Sequence, residues 1–420
     1  MMSERSVTPQ QGDEYEVRIE KLVYGGEALG RLPDGRAVFV PYALPGELVR
    51  IRVVAQKRTY ARGDLIEVLQ PSPDRIAPRC QHFTICGGCH YQHLPHVSQL
   101  EVKTNILVDQ LQRIGGIESP PVDPCAAPSD HWEYRNHIQF HVNESGAIGF
   151  QRWRSHEIVP IQECFLPGSA IQAIWPHLDI GPNSGIRRIV LRTGRPGETL
   201  LILEGGSAEE IDLSGNLPVS IIHQGPKRTR IHAGTDQLVY SIKGREFQVS
   251  AGSFFQSNLP VAQQMISQLL ENLPLHPDST LLELYSGVGF FSAFLAPHVR
   301  RLMAVESSPG ACEDFEANLA EFDNVELYQD AAENVLSAVQ AQADILLVDP
   351  PRAGLHPRVM DAVLQKVRPA FIAYVSCDPA TLGRDSRKLT DGGYRLIRVS
   401  PFDMFPQTYH IESISYWEAV

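Results

Sequence analysis

The chain has 420 residues, 43% of them hydrophobic, and a net charge of −12. That length exceeds one ordinary core and predicts two or three domains; the composition excludes a disordered chain, and no apolar run is long enough to span a membrane. The acidic total excludes a uniformly basic nucleic-acid binder, although residues 1–80 carry +1 against −13 for the remainder. The opening MMSERSVTPQQGDEYE holds no apolar secretory core, so the expected location is the cytoplasm.

Five short alternating segments, EYEVRIEKLVY, GGEALG, RAVFVPYA, ELVRIRVVAQ and YARGDLIEVLQ, fall within residues 12–70. Glycine punctuation between them predicts a small closed barrel of OB type. RIRVVAQKRTYAR (50–62) holds Arg50, Arg52, Lys57, Arg58 and Arg62 without an acid. It reads either as a phosphate-binding face or as a solvated strand edge. Tyr24, Phe39 and Tyr42 read as base stackers or as barrel core. The Pro-rich PSPDRIAP (71–78) reads as a linker.

RCQHFTICGGCHYQH then brings Cys80, Cys86 and Cys89 together, with Cys164 in QECF as a distant fourth. In a protein that is not exported, such grouping points to zinc or an iron–sulfur cluster. His82, His90 and His93 compete as ligands under the zinc reading. Cys125 and Cys312 read as structural. Leu100, Leu107, Leu111 and Ile114 share one face, which predicts a helix over 97–114 ended by Gly115-Gly116. From 118 to 250 the pattern is mainly strands, in an antiparallel or mixed sheet.

After residue 262 strands and helices alternate, which predicts a doubly wound, largely parallel sheet. Gly287 and Gly289 follow the first of these strands, Glu306 ends the second, Asp349 the fourth and Cys377 the fifth. Ligands of such sheets bind outside the carboxyl ends of the strands, so these positions converge on one crevice. ELYSGVGFFS (283–292) suits a nucleotide-type cofactor or a packing turn, and the missing third glycine disfavours NAD(P). DPPRAG (349–354) holds an acid rigidly at the crevice. In VSCDPATLGRD (375–385) a cysteine stands at a strand end, where Arg384 is expected to favour its thiolate.

DPPRAG, VSCDPATLGRD and the terminal HIES resemble the RNA 5-methyluridine methyltransferase family. The N-terminal region resembles a TRAM domain. With the cysteine cluster, the chain resembles the 23S ribosomal RNA uracil-C5 methyltransferase subgroup. The resemblance implies an α/β multidomain fold: a TRAM barrel (1–70), a central, mainly β iron–sulfur domain (71–250) and a Rossmann-like methyltransferase domain (251–420), against which helix 97–114 packs. It implies S-adenosyl-L-methionine bound by Gln256, Tyr285, Glu306 and Asp349, and a 4Fe-4S cluster on Cys80, Cys86, Cys89 and Cys164. Cys377 takes the place of the nucleophile and Glu412 that of the proton-abstracting base. Two positions depart from relatives that carry Asn there: Phe290, and Ala331 beside Asp330.

The chemistry implied is attack of the thiolate on carbon 6 of a uracil, which makes carbon 5 nucleophilic, followed by loss of the carbon 5 proton. The base must leave its stack, and Phe254 is a candidate wall for its pocket. The expected partner is RNA, with 23S rRNA favoured, and no membrane or obligate protein partner is implied. The alternatives are the same reaction on tRNA, or a non-catalytic RNA-binding iron–sulfur protein.

Overall fold

The computed structural model describes residues 10–128, 130–206, 219–225, 229–338 and 342–420. Strands β1 (Glu14–Leu22), β2 (Glu27–Arg31), β3 (Ala37–Pro41), β4 (Leu48–Gln56) and β5 (Tyr60–Gln70) form a closed barrel in the order β1-β2-β3-β5-β4. Alternate residues point inward, so Val17, Ile19, Val38, Val40, Val49, Ile51 and Val53 fill it. Closure also brings acids to the basic segment. Arg52 pairs with Glu14, Arg50 with Glu16 and Glu67, and Arg62 with Glu27. The stretch that reads as purely basic is therefore largely neutralised across strands, and Lys57 and Arg58 are its exposed remainder.

The central sheet contains β6 (His137–Val142), β7 (Ile148–Gln151), β8 (Ile158–Pro160), β9 (Ile186–Thr193), β10 (Thr199–Gly205), β11 (Ser220–Gln224) and β12 (Thr229–Ala233). Their order is β12-β11-β10-β9-β6-β7-β8, and the parallel β10–β11 pair makes the sheet mixed. One face packs Phe140, Ile189 and Leu201 with Trp175. The other carries Leu200, Ile202 and Ile222 into the core that also holds the hairpin β13 (Gln237–Ile242) and β14 (Arg245–Ser250) and the helix Leu259–Asn272.

The C-terminal sheet runs β17 (Val325–Gln329), β16 (Arg301–Glu306), β15 (Thr280–Leu284), β18 (Ile345–Val348), β19 (Phe371–Ser376), β21 (Glu412–Ala419) and β20 (Tyr394–Phe402). The first five are parallel, and β21 lies antiparallel between β19 and β20. Both faces are covered, as the continuous apolar runs of these strands require. Helix His96–Arg113 lies on this sheet, with Leu107 and Leu111 in the same apolar layer as Leu382 and Leu389. It abuts helix Pro379–Asp391 so closely that a Cβ on Gly383 would meet the Gln110 carbonyl at 2.9 Å.

Candidate active site

The reversal of strand order between β15 and β18 opens a crevice at their carboxyl ends. At the end of β15 the chain turns sharply: Tyr285 has φ +64° and Gly287 φ +55°. A Cβ on Gly287 would meet nothing within 4 Å, so its backbone borders open space. Gly289 differs, since a Cβ there would strike Leu319 at 2.2 Å. One glycine admits a ligand and the other admits a helix. Glu306, at the end of β16, accepts the Gly287 N–H at 2.9 Å on Oε2 and the Ser307 and Ser308 N–H groups at 2.7 Å on Oε1. Three backbone donors thus fix its orientation.

Asp349 follows β18, and burial pushes its carboxyl up to about 7. Glu412 opens β21 and is buried; burial first, then Asp349, push its carboxyl well above the carboxylate range, with Arg352 opposing. Cys377 stands just beyond β19. Burial, Glu412 and Asp349 push its thiol up to about 12, again against Arg352. Cys377, Glu412, Asp349 and Arg352 therefore form one electrostatic group. Arg384 is not its cation: the Arg384 guanidinium is bound to the Asp385 carboxylate at 2.8 Å and to the Ala353 carbonyl at 2.9 Å. The thiol also rests protonated, because burial first, and then the carboxyls around it, outweigh one exposed guanidinium.

A further acid, Glu283, sits in the middle of β15, with Ser292 Oγ donating to it at 2.5 Å. Burial holds its carboxyl up at about 8, despite the serine, with Asp349 and Glu306 adding to the effect. It is the one acid in an otherwise apolar strand, a signal readable in TLLELYS. A cationic ligand such as a sulfonium would favour the charged forms of these buried carboxyls and so bring them back toward their ordinary range.

Gln256 lies in the loop between β14 and helix Leu259–Asn272, where Asn136 Nδ2 holds its carbonyl at 2.9 Å. Phe254 in the same loop is 73% exposed. Phe290 is buried among Phe247, Phe255 and Phe291 and offers the crevice nothing polar. Asp330 is exposed, with Oδ1 taken by the Ala331 N–H and Asn334. Of the three barrel aromatics, Tyr42 is buried against Phe83, Phe39 packs edge-on to Tyr60, and Tyr24 reaches the catalytic side.

Cys80, Cys86, Cys89 and Cys164 line one cavity of about 330 Å³, together with Phe254, Ser257 and Arg135. Each sulfur has an N–H donor: His82 and Phe83 backbone for Cys80, Gly88 for Cys86 at 3.4 Å, the Gln92 side chain for Cys89, and Leu166 for Cys164. Burial nevertheless raises all four thiols. Among the described residues no group of three or more His, Cys, Asp or Glu side chains is gathered tightly enough to hold a single metal ion. His90 and His93 are buried away from the cysteines' cavity wall, and Cys125 and Cys312 are buried elsewhere.

Fold and crevice define a Rossmann-type methyltransferase carried behind an OB-like barrel. The family model described as tRNA (Uracil-5-)-methyltransferase matches residues 207–419, and that of the TRAM domain matches residues 9–66. An uncharacterized RNA methyltransferase of Halalkalibacterium halodurans is 34% identical, the match covering 99% of each chain. One of Streptomyces coelicolor is 33% identical over 97% of this chain and 93% of its own. The crystal structure of the Pyrococcus abyssi tRNA (uracil-54, C5)-methyltransferase in complex with S-adenosyl-L-homocysteine is similar with a TM-score of 0.75 and 25% identity, covering 96% of this chain and 100% of that one. The chain belongs to the tRNA (uracil-5-)-methyltransferase family and is an S-adenosylmethionine-dependent RNA methyltransferase with an N-terminal TRAM barrel.

Proposed function

We propose that this enzyme methylates carbon 5 of one uridine in 23S rRNA through a covalent adduct of Cys377. The observation that carries the reading is the convergence of Cys377, Glu412 and Asp349 at one strand-end crevice, although they come from three separate segments. Gln256, Tyr285, Glu306 and Asp349 are the residues that would hold the cofactor, which when bound supplies an electrophilic methyl group to carbon 5. Gly287, with open space over its backbone, is the natural point of close approach.

Cys377 loses its proton to solvent and attacks carbon 6 of the uracil as thiolate; as the carbon–sulfur bond forms, the ring double-bond pair moves into an enolate that makes carbon 5 nucleophilic. Arg352 is the cation placed to oppose the surrounding carboxyls during that loss. After methylation, Glu412 takes the proton from carbon 5, the electron pair restores the ring double bond, and the carbon–sulfur bond breaks. Exposed Phe254 gives the displaced base a surface to stack on.

The cysteine cavity supports a 4Fe-4S cluster on Cys80, Cys86, Cys89 and Cys164. Four thiols line a common space, each with an N–H donor, the ligand set that such a cluster takes. The nearby Arg135 guanidinium, which faces Cys89 and Cys164, would offset part of the negative charge of the thiolates. Such a cluster would brace the loop that carries Phe254 and Gln256, and no electron is required from it. On this reading residues 1–70, 71–250 and 251–420 act as RNA-binding, cluster-bearing and catalytic units.

A second reading, methylation of tRNA, is favoured by the likeness to the Pyrococcus enzyme. The two separate when total RNA from a strain lacking the activity is methylated and the modified uridine is mapped by mass spectrometry. Labelled ribosomal RNA is expected, and label in tRNA alone would overturn the target. In the same assay Cys377→Ala should give neither product nor adduct, and Glu412→Gln should trap the adduct. Iron and sulfide in anaerobically purified protein, with absorbance near the edge of the visible range, would bear out the cluster; stoichiometric zinc in their place would overturn it.

A further inference from the structure

Among the described residues, a side chain just beyond the first barrel strand is hydrogen-bonded to the catalytic turn. Tyr24, just beyond β1, donates its phenol hydroxyl to Asp378 Oδ2 at 2.9 Å, across 354 residues of sequence. The other oxygen of Asp378 is already engaged: Oδ1 caps helix Pro379–Asp391 by accepting the Ala380 and Thr381 N–H groups at 3.0 and 2.9 Å. The Asp378 backbone is tied as well, its N–H donating to Ser376 Oγ at 3.2 Å and its carbonyl accepting from that hydroxyl and from Thr381 Oγ1 at 3.1 Å each. Cys377 is the residue inside this knot. Among the described residues, the phenol is the one partner of the Asp378 side chain that comes from outside the strand–turn–helix segment.

We propose that Tyr24 is a positioning residue for the nucleophile: carried on the barrel, its phenol holds Asp378 and thereby sets the turn that presents Cys377. The proposal rests on the reading of Cys377 as nucleophile.

Tyr24 is itself well anchored. Its ring meets Tyr409 edge-on at 5.8 Å, and Lys21 on β1 is bound to Asp109 of helix His96–Arg113 at 2.7 Å. Burial, with Asp378 next, raises the phenol far above its ordinary range, so it acts only as a donor. The charges facing Cys377 are Glu412 from β21, Asp349 and Arg352 from the loop after β18, and Asp378 from its own turn. Those facing Tyr24 are Asp378 and Arg352, with the Tyr409 phenol beside them. A phenol bonded to Asp378 disperses part of the negative charge beside the thiol. Without it, that carboxylate faces Cys377 less compensated, and the thiolate becomes harder to form.

The test is the pH profile of Cys377 alkylation by iodoacetamide in the full chain, followed by peptide mass spectrometry, beside methyl-transfer kinetics. Tyr24→Phe should slow alkylation roughly three- to tenfold at pH 8, as a rise of up to about one pH unit in the thiol's titration demands. kcat should fall in parallel while KM for RNA stays unchanged. Asp378→Asn keeps a capping oxygen and removes the charge, so it should speed alkylation and make an added Tyr24→Phe silent. A Tyr24→Phe profile superimposable on wild type, or an equal loss in the Asp378→Asn background, would overturn the proposal. If Tyr24→Phe were to disturb the barrel, the Asp378→Asn arm would still decide, because unchanged alkylation there rejects the charge link. Continued methylation by Cys377→Ala would sink the nucleophile assignment instead, a separate outcome.

Discussion

Lys103 Nζ lies 2.5 Å from Asp403 Oδ1, and both side chains are fully buried. His96 Nε2 stands 2.8 Å from the other carboxylate oxygen, and Lys103 also donates to the Phe405 carbonyl at 3.0 Å. Burial alone would raise the Asp403 carboxyl, but Lys103 and His96 outweigh it and hold the group below the carboxylate range. The pair pins helix His96–Arg113 to the segment that leads into β21. Lys103→Met should cost about 3–5 kcal/mol in urea unfolding, because it strands a buried carboxylate. Adding Asp403→Leu should recover much of that loss.

Asp349 behaves in the opposite sense. Its folded-state pKa is raised from 3.8 to about 7 by burial. The proton it keeps on folding stabilises the protein below the ordinary aspartate range, and that contribution is lost as pH climbs through about 7. Asp349→Asn should therefore raise the melting temperature more at pH 8 than at pH 5. The gain should not exceed about 4 kcal/mol. Binding of S-adenosylmethionine, measured by calorimetry, should weaken in the same variant.

Turnover should rise with pH. The Cys377 thiol is pushed up to about 12 and so carries its proton at neutrality, and the Glu412 carboxyl is shifted in the same direction, so alkali favours the proton-free form that each role requires. kcat/KM is expected to increase across pH 7–9 in a stopped-time assay on RNA. Glu412 is also, after burial, the largest influence raising the thiol. Glu412→Gln should consequently form adduct at lower pH than wild type while failing to release it, as gel-shift under denaturing conditions would show.

Phe254 projects from its loop with 73% of its surface exposed. Phe254→Ala should leave stability within about 0.5 kcal/mol. If a base stacks there, kcat/KM for RNA should drop by about five- to 150-fold, the equivalent of roughly 1–3 kcal/mol per stacked base. Unaltered kinetics would remove Phe254 from the RNA path.

Much of the catalytic sheet is legible because parallel strands buried on both faces read as unbroken apolar runs, and their ends mark the crevice without further information. Cys377, Asp349 and Glu306 are found that way. The alternation in residues 12–70 likewise announces the barrel. What cannot be read is pairing between distant segments. Arg50, Arg52 and Arg62 look unopposed until β1, β2 and β5 deliver their acids. Arg384 looks nearer to Cys377 than Arg352 along a helix, yet its guanidinium turns to the adjacent Asp385, leaving Arg352 as the thiol's cation. The bond from Tyr24 to Asp378 has no sequence signature at all. Glu283 could have been found, since an acid amid three buried leucines calls for a purpose.

Loop 251–258 is a party wall: Phe254, Phe255 and Ser257 line the cysteine cavity, while Gln256 is carried between them. Anyone cutting the chain at residue 250 to isolate a stand-alone catalytic fragment would strip the plaster from one side of that wall. The same cut discards Leu107 and Leu111, which belong to the apolar layer under Leu382 and Leu389. A workable truncation would have to begin upstream of His96, and only the barrel is a candidate for removal, at the loss of Tyr24.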